Sequence, residues 1–213
     1  MEETKFKYGC YNNEYYLRKA PDMKREDAVH IVLAVKKILD EHHILFMPMF
    51  GTLLGIIRQN DFIPYDHDID MCIWDKDREA LVELIPEFEN AGIHFACCVE
   101  PEIYTFQYET ANIDFYVILP APKPYAKRMY TIQTHYISKK YFKAMEKVDF
   151  LGTQFDIPGN PKRLLKYWYG RTWNIPIDER GDYDPGWMIH IRIARLWRKG
   201  VRYIKRHILH TKQ

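Results

Sequence analysis

Three aspartates stand at alternate positions in the segment DHDIDMCIW, whose last residues resemble a buried strand. Side chains alternate between the two faces of a strand, so Asp68 and Asp70 would share one face while Ile69 and Met71 point into the core. Two carboxylates at this spacing, roughly 7 Å apart at the backbone, repel each other unless a cation neutralises them. The pattern predicts a site for a divalent cation, Mg²⁺ or else Mn²⁺, with Asp66 close by.

A further carboxylate follows in the segment NIDFYVIL. Asp114 points away from Ile113 and Phe115, so it would be an acid in the middle of a strand whose other face is core. If this strand lies beside the first, Asp68, Asp70 and Asp114 meet at one sheet surface. A lone aspartate is usually solvated, but the repeated pattern favours a metal site. An EF-hand calcium loop is disfavoured because its sixth position, which requires glycine, is a methionine here.

The segment FGTLLGIIR, upstream of the acids, has features of a phosphate site. It predicts a turn from a strand into a short helix, where backbone N–H groups can bind a phosphate. Gly51 allows close approach, Thr52 adds a hydroxyl donor, and Arg58 can neutralise phosphate charge. A glycine at such a turn is common, so this segment gains weight only together with the acids that follow it.

The elements that must position these residues follow from hydrophobic periodicity and from turn residues. The predicted helices are residues 24–43, 51–58, 75–92 and 160–170. The predicted strands are residues 44–50, 67–74, 93–99, 103–109, 112–119, 129–137 and 148–158. Asp75 is the expected N-cap of the third helix, and the last helix begins with Asn160 and Pro161 and ends at Gly170. This order predicts an α/β (α+β) domain with a mixed β-sheet and flanking helices.

Composition indicates a single domain with an appended segment. The chain has 213 residues, 47% of them hydrophobic, which is enough for one core without disulfides. We predict one catalytic domain over residues 1–188 and a separate tail over 189–213. The four cysteines include no C-x-x-C pair, so we expect no zinc site and a reducing compartment. The N-terminus lacks the apolar core of a signal peptide, and we expect a cytoplasmic protein.

The tail, residues 189–213, concentrates positive charge. It contains eight lysines and arginines and no acid, whereas the whole chain carries only +2. Apolar residues recur at spacings of three and four, which predicts an amphipathic helix. This helix would either hold the protein against the inner face of an anionic membrane or pack on the domain with its cations in water. No continuous basic and aromatic surface is evident outside the tail, so we expect no nucleic-acid partner.

The glycine turn followed by Asp-x-Asp is the arrangement of the nucleotidyltransferase superfamily. The longer segment GTLLGIIRQNDFIPYDHDIDMCI resembles, without a gap, the signature of the LicD/fukutin family. The acid in NIDFYVI and the block IPGNPKRLLKYWYGRTWNIP extend the resemblance over residues 24–176.

The resemblance implies transfer of an alcohol phosphate, such as phosphocholine or ribitol phosphate, from a CDP-alcohol donor. The acceptor would be a hydroxyl of a cell-surface glycan, such as lipopolysaccharide or teichoic acid, or its lipid-linked precursor, and CMP would be released. It implies metal binding by Asp68, Asp70 and Asp114. Gly51 and Thr52 would contact the donor phosphates. Two further residues, Arg58 and Asp66, would lie at the substrate, and no catalytic role falls to His67.

Two alternatives remain open at this point. The first is a nucleotidyltransferase that adds a nucleotidyl group to a small-molecule or sugar acceptor and releases pyrophosphate. The second is a non-catalytic scaffold that keeps the acids as a metal-binding site. The released product distinguishes both alternatives from the transfer of an alcohol phosphate.

Overall fold

The computed structural model describes residues 22–64, 66–99, 101–133 and 135–176. The predicted tail over 189–213 and the boundary at residue 188 lie outside these residues. None of the helices in the described part of the chain is both long and apolar enough to cross a bilayer.

The described part of the chain contains both helices and strands. The α-helices are α1 (Arg25–Glu41), α2 (Phe50–Gln59), α3 (Arg78–Glu83), α4 (Ile85–Asn90), α5 (Lys140–Lys143) and α6 (Pro161–Tyr169). The strands are β1 (Phe46–Pro48), β2 (Ile69–Trp74), β3 (His94–Val99), β4 (Ile103–Tyr108), β5 (Ala111–Pro120), β6 (Met129–Ile132), β7 (His135–Ser138), β8 (Glu146–Phe150) and β9 (Thr153–Ile157). Short 3₁₀ helices cover Asp75–Asp77 and Tyr125–Lys127.

Seven strands form one mixed sheet in the order β1-β2-β5-β4-β3, and β6 joins β5 to β7. Strands β2 and β5 run parallel, whereas the other pairs are antiparallel. The remaining strands, β8 and β9, form a separate hairpin. The predicted α/β (α+β) class, with a mixed sheet and flanking helices, is confirmed.

Both faces of the sheet are packed, although the sequence predicted a core on one face of β2 only. Ile69, Met71 and Ile73 pack with α1 and α4 on one side. On the other side, Cys72 is fully buried in a second core with residues of α2, α6 and the β6–β7 hairpin. Asp70, which shares a face of β2 with Cys72, therefore faces a packed interior, where an unpartnered charge is costly.

Three predicted elements are divided, and one of them, the strand expected over 129–137, is the β6–β7 hairpin. The helix expected over 75–92 is a 3₁₀ turn followed by α3 and α4, which break at Leu84. Pro86 lacks the N–H that would bond back into α3, and its ring clashes with the preceding turn. The strand expected over 148–158 is the β8–β9 hairpin, which reverses at Leu151 and Gly152, both with positive φ, as a two-residue hairpin turn requires.

Helix α2 lies close to the connection that leads to β2. A Cβ atom at Gly55 would lie 2.5 Å from the backbone oxygen of Asp61, well inside contact distance. The helix then ends at Asn60, whose backbone is left-handed, with φ of 54°. The absence of a side chain at Gly55 thus allows the connection to pack on α2.

We expect Gly55→Ala to lower the free energy of unfolding by about 1–3 kcal/mol, because a packed backbone must move to admit the methyl group. Urea denaturation followed by circular dichroism measures this loss. Asn60→Gly is the matched control, since glycine adopts the left-handed conformation without strain and a surface change of this kind alters stability by no more than about 0.5 kcal/mol. Equal stability of Gly55→Ala and the unmodified protein would contradict the packing described.

Candidate active site

Asp70 and Asp114 are direct neighbours on the parallel strands β2 and β5. The register pairs Ile69 with Ile113 and Asp70 with Asp114, so the two carboxylates leave the sheet on the same face. Both residues are buried, Asp70 being 8% and Asp114 5% exposed. The two acid-bearing strands are adjacent, as the sequence suggested.

The other two acids lie just before β2. Asp68 immediately precedes the strand, and Asp66 is held in a turn by a backbone hydrogen bond of 3.0 Å from its N–H to the oxygen of Ile63. Both are half-buried. Asp66 Oδ2 and Asp70 Oδ2 lie on the same side of Gly51, at 2.7 and 3.2 Å from the position that a Cβ atom would occupy there. A side chain at Gly51 would clash with the Asp66 carboxylate, so the glycine is what allows the acids to pack against α2.

The start of α2 holds Asp70 through three hydrogen bonds. The backbone N–H of Gly51 donates to Asp70 Oδ2 at 2.9 Å. The Asp70 N–H donates to Thr52 Oγ1 at 2.8 Å, and the Met49 N–H donates to the backbone carbonyl oxygen of Asp70 at 3.0 Å. Because the first N–H groups of a helix have no partner within the helix, the Gly51 N–H is available to a carboxylate. The bonds fix both the backbone and the side chain of Asp70.

Thr52 differs from its predicted position. Its side chain is 2% exposed and its hydroxyl accepts the Asp70 N–H. In this structure the hydroxyl therefore positions Asp70, and its contact with a donor phosphate stays a prediction.

Two residues that the sequence reasoning did not single out hold Asp114. Thr105 Oγ1 donates to Asp114 Oδ1 at 2.6 Å, and the Tyr116 hydroxyl lies 3.5 Å from Oδ2. Thr105 is the register partner of Asp114 across β4 and β5, so the three residues share one face. Tyr116 could have been found from its place two residues after Asp114. Thr105 could have been found only from the register of the hairpin.

Arg58 stands apart from the carboxylates, whereas the backbone N–H of His67 donates to Asp66 Oδ1 at 3.2 Å. Arg58 is seven residues after Gly51, which places it two turns along the same side of α2. Its guanidinium donates to Gln59 Oε1 at 3.2 and 3.3 Å. The His67 Nδ1 atom lies 4.0 Å from Asp22 Oδ1. The structure thus brings together the four acids, Gly51 and Thr52, and leaves Arg58 outside their contacts.

Residues 43–160 match the family model LicD/FKTN/FKRP, nucleotidyltransferase domain. This chain belongs to that family. The match includes all four acids and the glycine turn, and it confirms the resemblance noted from the sequence.

Curated relatives of this LicD-family chain are distant. Human FKTN, described as a ribitol-5-phosphate transferase, is 25% identical over 164 residues, which cover 72% of this chain and 34% of FKTN. An uncharacterized protein of Rickettsia prowazekii is 33% identical over 75 residues, covering 35% of this chain and 24% of that protein. The chain therefore aligns with about a third or less of the length of these relatives.

A solved structure of similar fold is that of the antibiotic-resistance factor ANT(2″)-Ia, determined in solution. It superimposes with a TM-score of 0.50 at 13% identity, over 88% of this chain and 100% of that one. At this level of identity the likeness concerns the fold alone.

Burial and the charge of neighbouring acids both disfavour the ionised form of the carboxylates in this LicD-family site. Burial raises the pKa of Asp66 to about 7, and the charge of Asp68 adds to the rise. Burial also raises the pKa of Asp114 to about 6, although the hydrogen bond from Thr105 acts to lower it. The pKa values of Asp68 and Asp70 are raised too, first by burial. Among the residues that the structure describes, no lysine or arginine forms an ion pair with the four acids.

These carboxylates have the chemistry that a hard cation requires, with oxygen donors and a shortage of positive charge. Within the described ranges, however, no three Asp, Glu, His or Cys side chains already form a set that would enclose a metal ion. Mg²⁺ is commonly held by one or two carboxylates while water and substrate phosphates complete its coordination. The arrangement fits such an incomplete site and does not fit a closed protein cage.

We expect Asp66→Asn to stabilise the protein at neutral pH when no divalent cation is present. A carboxyl whose pKa is about 7 in the folded chain and about 4 in the unfolded chain binds its proton more tightly when folded, so stability falls as pH rises from about 4 through about 7. The variant should be more stable by about 1–3 kcal/mol near pH 8, and the gain should nearly vanish near pH 4. Chemical denaturation at both pH values measures it.

Glu83→Gln serves as the control for Asp66→Asn, since Glu83 is an exposed carboxylate on α3. It should change stability little at either pH. A gain that is equal for the two variants, or that does not depend on pH, would contradict the electrostatic account of Asp66.

We expect Thr52→Val to destabilise the fold by about 1–3 kcal/mol, because the buried N–H of Asp70 loses its acceptor. Valine has nearly the shape of threonine, so packing changes little. Thr52→Ser retains the hydroxyl and should lose distinctly less. Urea denaturation distinguishes the two, and an equal loss in both variants would assign the effect to packing.

Proposed function

We propose that this chain transfers an alcohol phosphate from a CDP-activated donor to a hydroxyl of a cell-surface glycan or of its lipid-linked precursor, and releases CMP. One observation carries the proposal: four carboxylates lie together at the start of α2, and no lysine or arginine of the described residues forms an ion pair with them. Membership of the LicD/FKTN/FKRP family supports it, as does the description of FKTN as a ribitol-5-phosphate transferase.

The proposal assigns a divalent cation, Mg²⁺ or Mn²⁺, to Asp68, Asp70 and Asp114. When bound, such an ion neutralises the donor diphosphate and stabilises charge on the leaving CMP oxygen. The raised pKa values support this assignment, because the carboxylates gain most from a nearby positive charge.

The residues of the chain itself would orient the reactants. The donor phosphates would lie near Gly51 at the N-terminal end of α2, where the helix dipole favours negative charge. The Gly51 N–H itself donates to Asp70 Oδ2 at 2.9 Å, so it holds one of the acids that would bind the cation. Thr52 holds Asp70 in place, and Asp66 completes the negative rim of the site. Arg58, on the same side of α2 as Gly51, would reach the donor phosphates after leaving Gln59.

Asp114 is the candidate to receive the proton of the acceptor hydroxyl. Thr105 occupies Asp114 Oδ1 with a hydrogen bond of 2.6 Å, whereas Tyr116 lies at 3.5 Å from Oδ2. Oδ2 is therefore the less engaged oxygen and the one that a substrate hydroxyl would meet. Alignment of donor and acceptor for in-line displacement supplies much of the remaining rate enhancement.

We expect Asp68→Asn and Asp70→Asn each to lower the rate of CMP release by roughly 10²-fold or more, because each removes charge that the transition state needs. Both variants should remain folded, since each relieves repulsion among neighbouring acids. The measurement incubates the full chain with CDP-choline or CDP-ribitol, Mg²⁺ and a glycan acceptor, and quantifies CMP, while circular dichroism reports folding.

Glu83→Gln is again the control and should retain full turnover. Near-normal CMP release by either aspartate variant at saturating Mg²⁺ would overturn the assignment of the acids. Pyrophosphate release from a nucleoside triphosphate, without CMP from the CDP-alcohols, would replace the proposal with nucleotidyl transfer.

A further inference from the structure

A cavity of about 360 Å³ lies between α6, α5 and the β6–β7 hairpin. Its volume is within the usual range of small-ligand pockets, roughly 300–1,000 Å³. None of the four site acids lines it, so it is distinct from the carboxylate cluster.

The lining of the cavity combines positive charge with aromatic rings and contains no acid. The residues that give it this character are Lys140, Arg163, Lys166, Tyr136, Tyr141 and Tyr167. Within the described part of the chain, none of the three cations forms an ion pair with a carboxylate. Three uncompensated cations around one space attract a ligand with more than one negative charge, such as a phosphate monoester.

The tyrosines give the cavity a second kind of surface. Tyr141 is buried at its base, and the Lys140 ammonium lies 5.1 Å from the centre of its ring. Tyr167 is 52% exposed at the edge. Such rings offer a flat apolar face together with a hydroxyl, which suits a sugar ring whose C–H groups and hydroxyls lie close together.

The cavity and the carboxylates are linked through one aromatic residue. Phe50, which precedes Gly51, contacts Trp168 of α6 with ring centroids 4.9 Å apart and His135 of β7 with centroids 5.0 Å apart. Helix α6 and strand β7 both line the cavity. The helix and the strand that line the cavity therefore also contact the residue that precedes Gly51.

We propose that this cavity binds a phosphate-bearing sugar of the acceptor. The cation at the carboxylate cluster would be taken by the donor diphosphate, so a phosphate on the acceptor needs positive charge elsewhere, and the cavity supplies that charge. Its assignment to the acceptor rests on the proposed function, whereas the binding of a sugar phosphate there does not.

The test is a titration of the full chain without CDP-donor or divalent cation, measured by calorimetry. The probes are glucose 6-phosphate, glucose and inorganic phosphate. Glucose 6-phosphate should bind saturably, and at least about tenfold more tightly than either of the other probes, because only it satisfies both the cations and the rings. The double variant Arg163→Gln/Lys166→Gln should weaken its binding by at least about tenfold.

Lys162→Gln is the matched control, since Lys162 is an exposed cation on the same helix that does not line the cavity. Its affinity for glucose 6-phosphate should stay within about twofold of the unmodified protein. Absence of saturable binding, equal binding of inorganic phosphate, or equal losses in the double variant and the control would overturn the proposal.

A further arm separates acceptor from donor. CMP that competes with glucose 6-phosphate would assign the cavity to the donor nucleotide and overturn its assignment to the acceptor, whereas independent binding of the two supports it. Because the titration requires no turnover, loss of the proposed transfer activity would leave its result intact, and failure of the titration would leave CMP release untouched.

Discussion

The parallel pairing of β2 with β5 places two buried aspartates side by side, and the surrounding structure compensates for the repulsion this creates. Asp70 and Asp114 are register partners with core on both faces of their strands. Buried carboxylates are tolerated when hydrogen bonds satisfy their oxygens. Helix α2 supplies such bonds to Asp70, and Thr105 and Tyr116 supply them to Asp114. The packing of α2 against the sheet and the polar residues of β4 and β5 thus serve the same pair.

Much of this arrangement follows from sequence patterns of short range. Alternation within two apolar segments predicts that Asp70 and Asp114 share a face with their neighbours two residues away, and the structure has both on strands. The glycine turn before them predicts the close approach of α2, which Gly51 makes possible. These inferences succeed because strand alternation and the lack of a glycine side chain act locally.

The remainder depends on contacts between distant parts of the chain. The burial of Cys72 comes from α6 and the β6–β7 hairpin, which no pattern near β2 reveals. Thr105 becomes a partner of Asp114 only through the register of β4 and β5. The cavity beside Tyr141 likewise requires α6 to pack on β7. The break of the helix at Leu84 could have been predicted from the sequence, because Pro86 disrupts a helix by purely local chemistry.

The parallel register of β2 and β5 also has a consequence for the order in which the molecule folds. A parallel pair cannot form from a tight hairpin. The segment that contains α3, α4, β3 and β4 lies between β2 and β5, so it must be synthesised before these two strands can pair. Contacts of such long sequence separation form slowly, since loop closure precedes any gain from pairing. A growing chain therefore carries Asp114 apart from Asp66, Asp68 and Asp70, and the fourth acid joins the other three only when β2 and β5 pair.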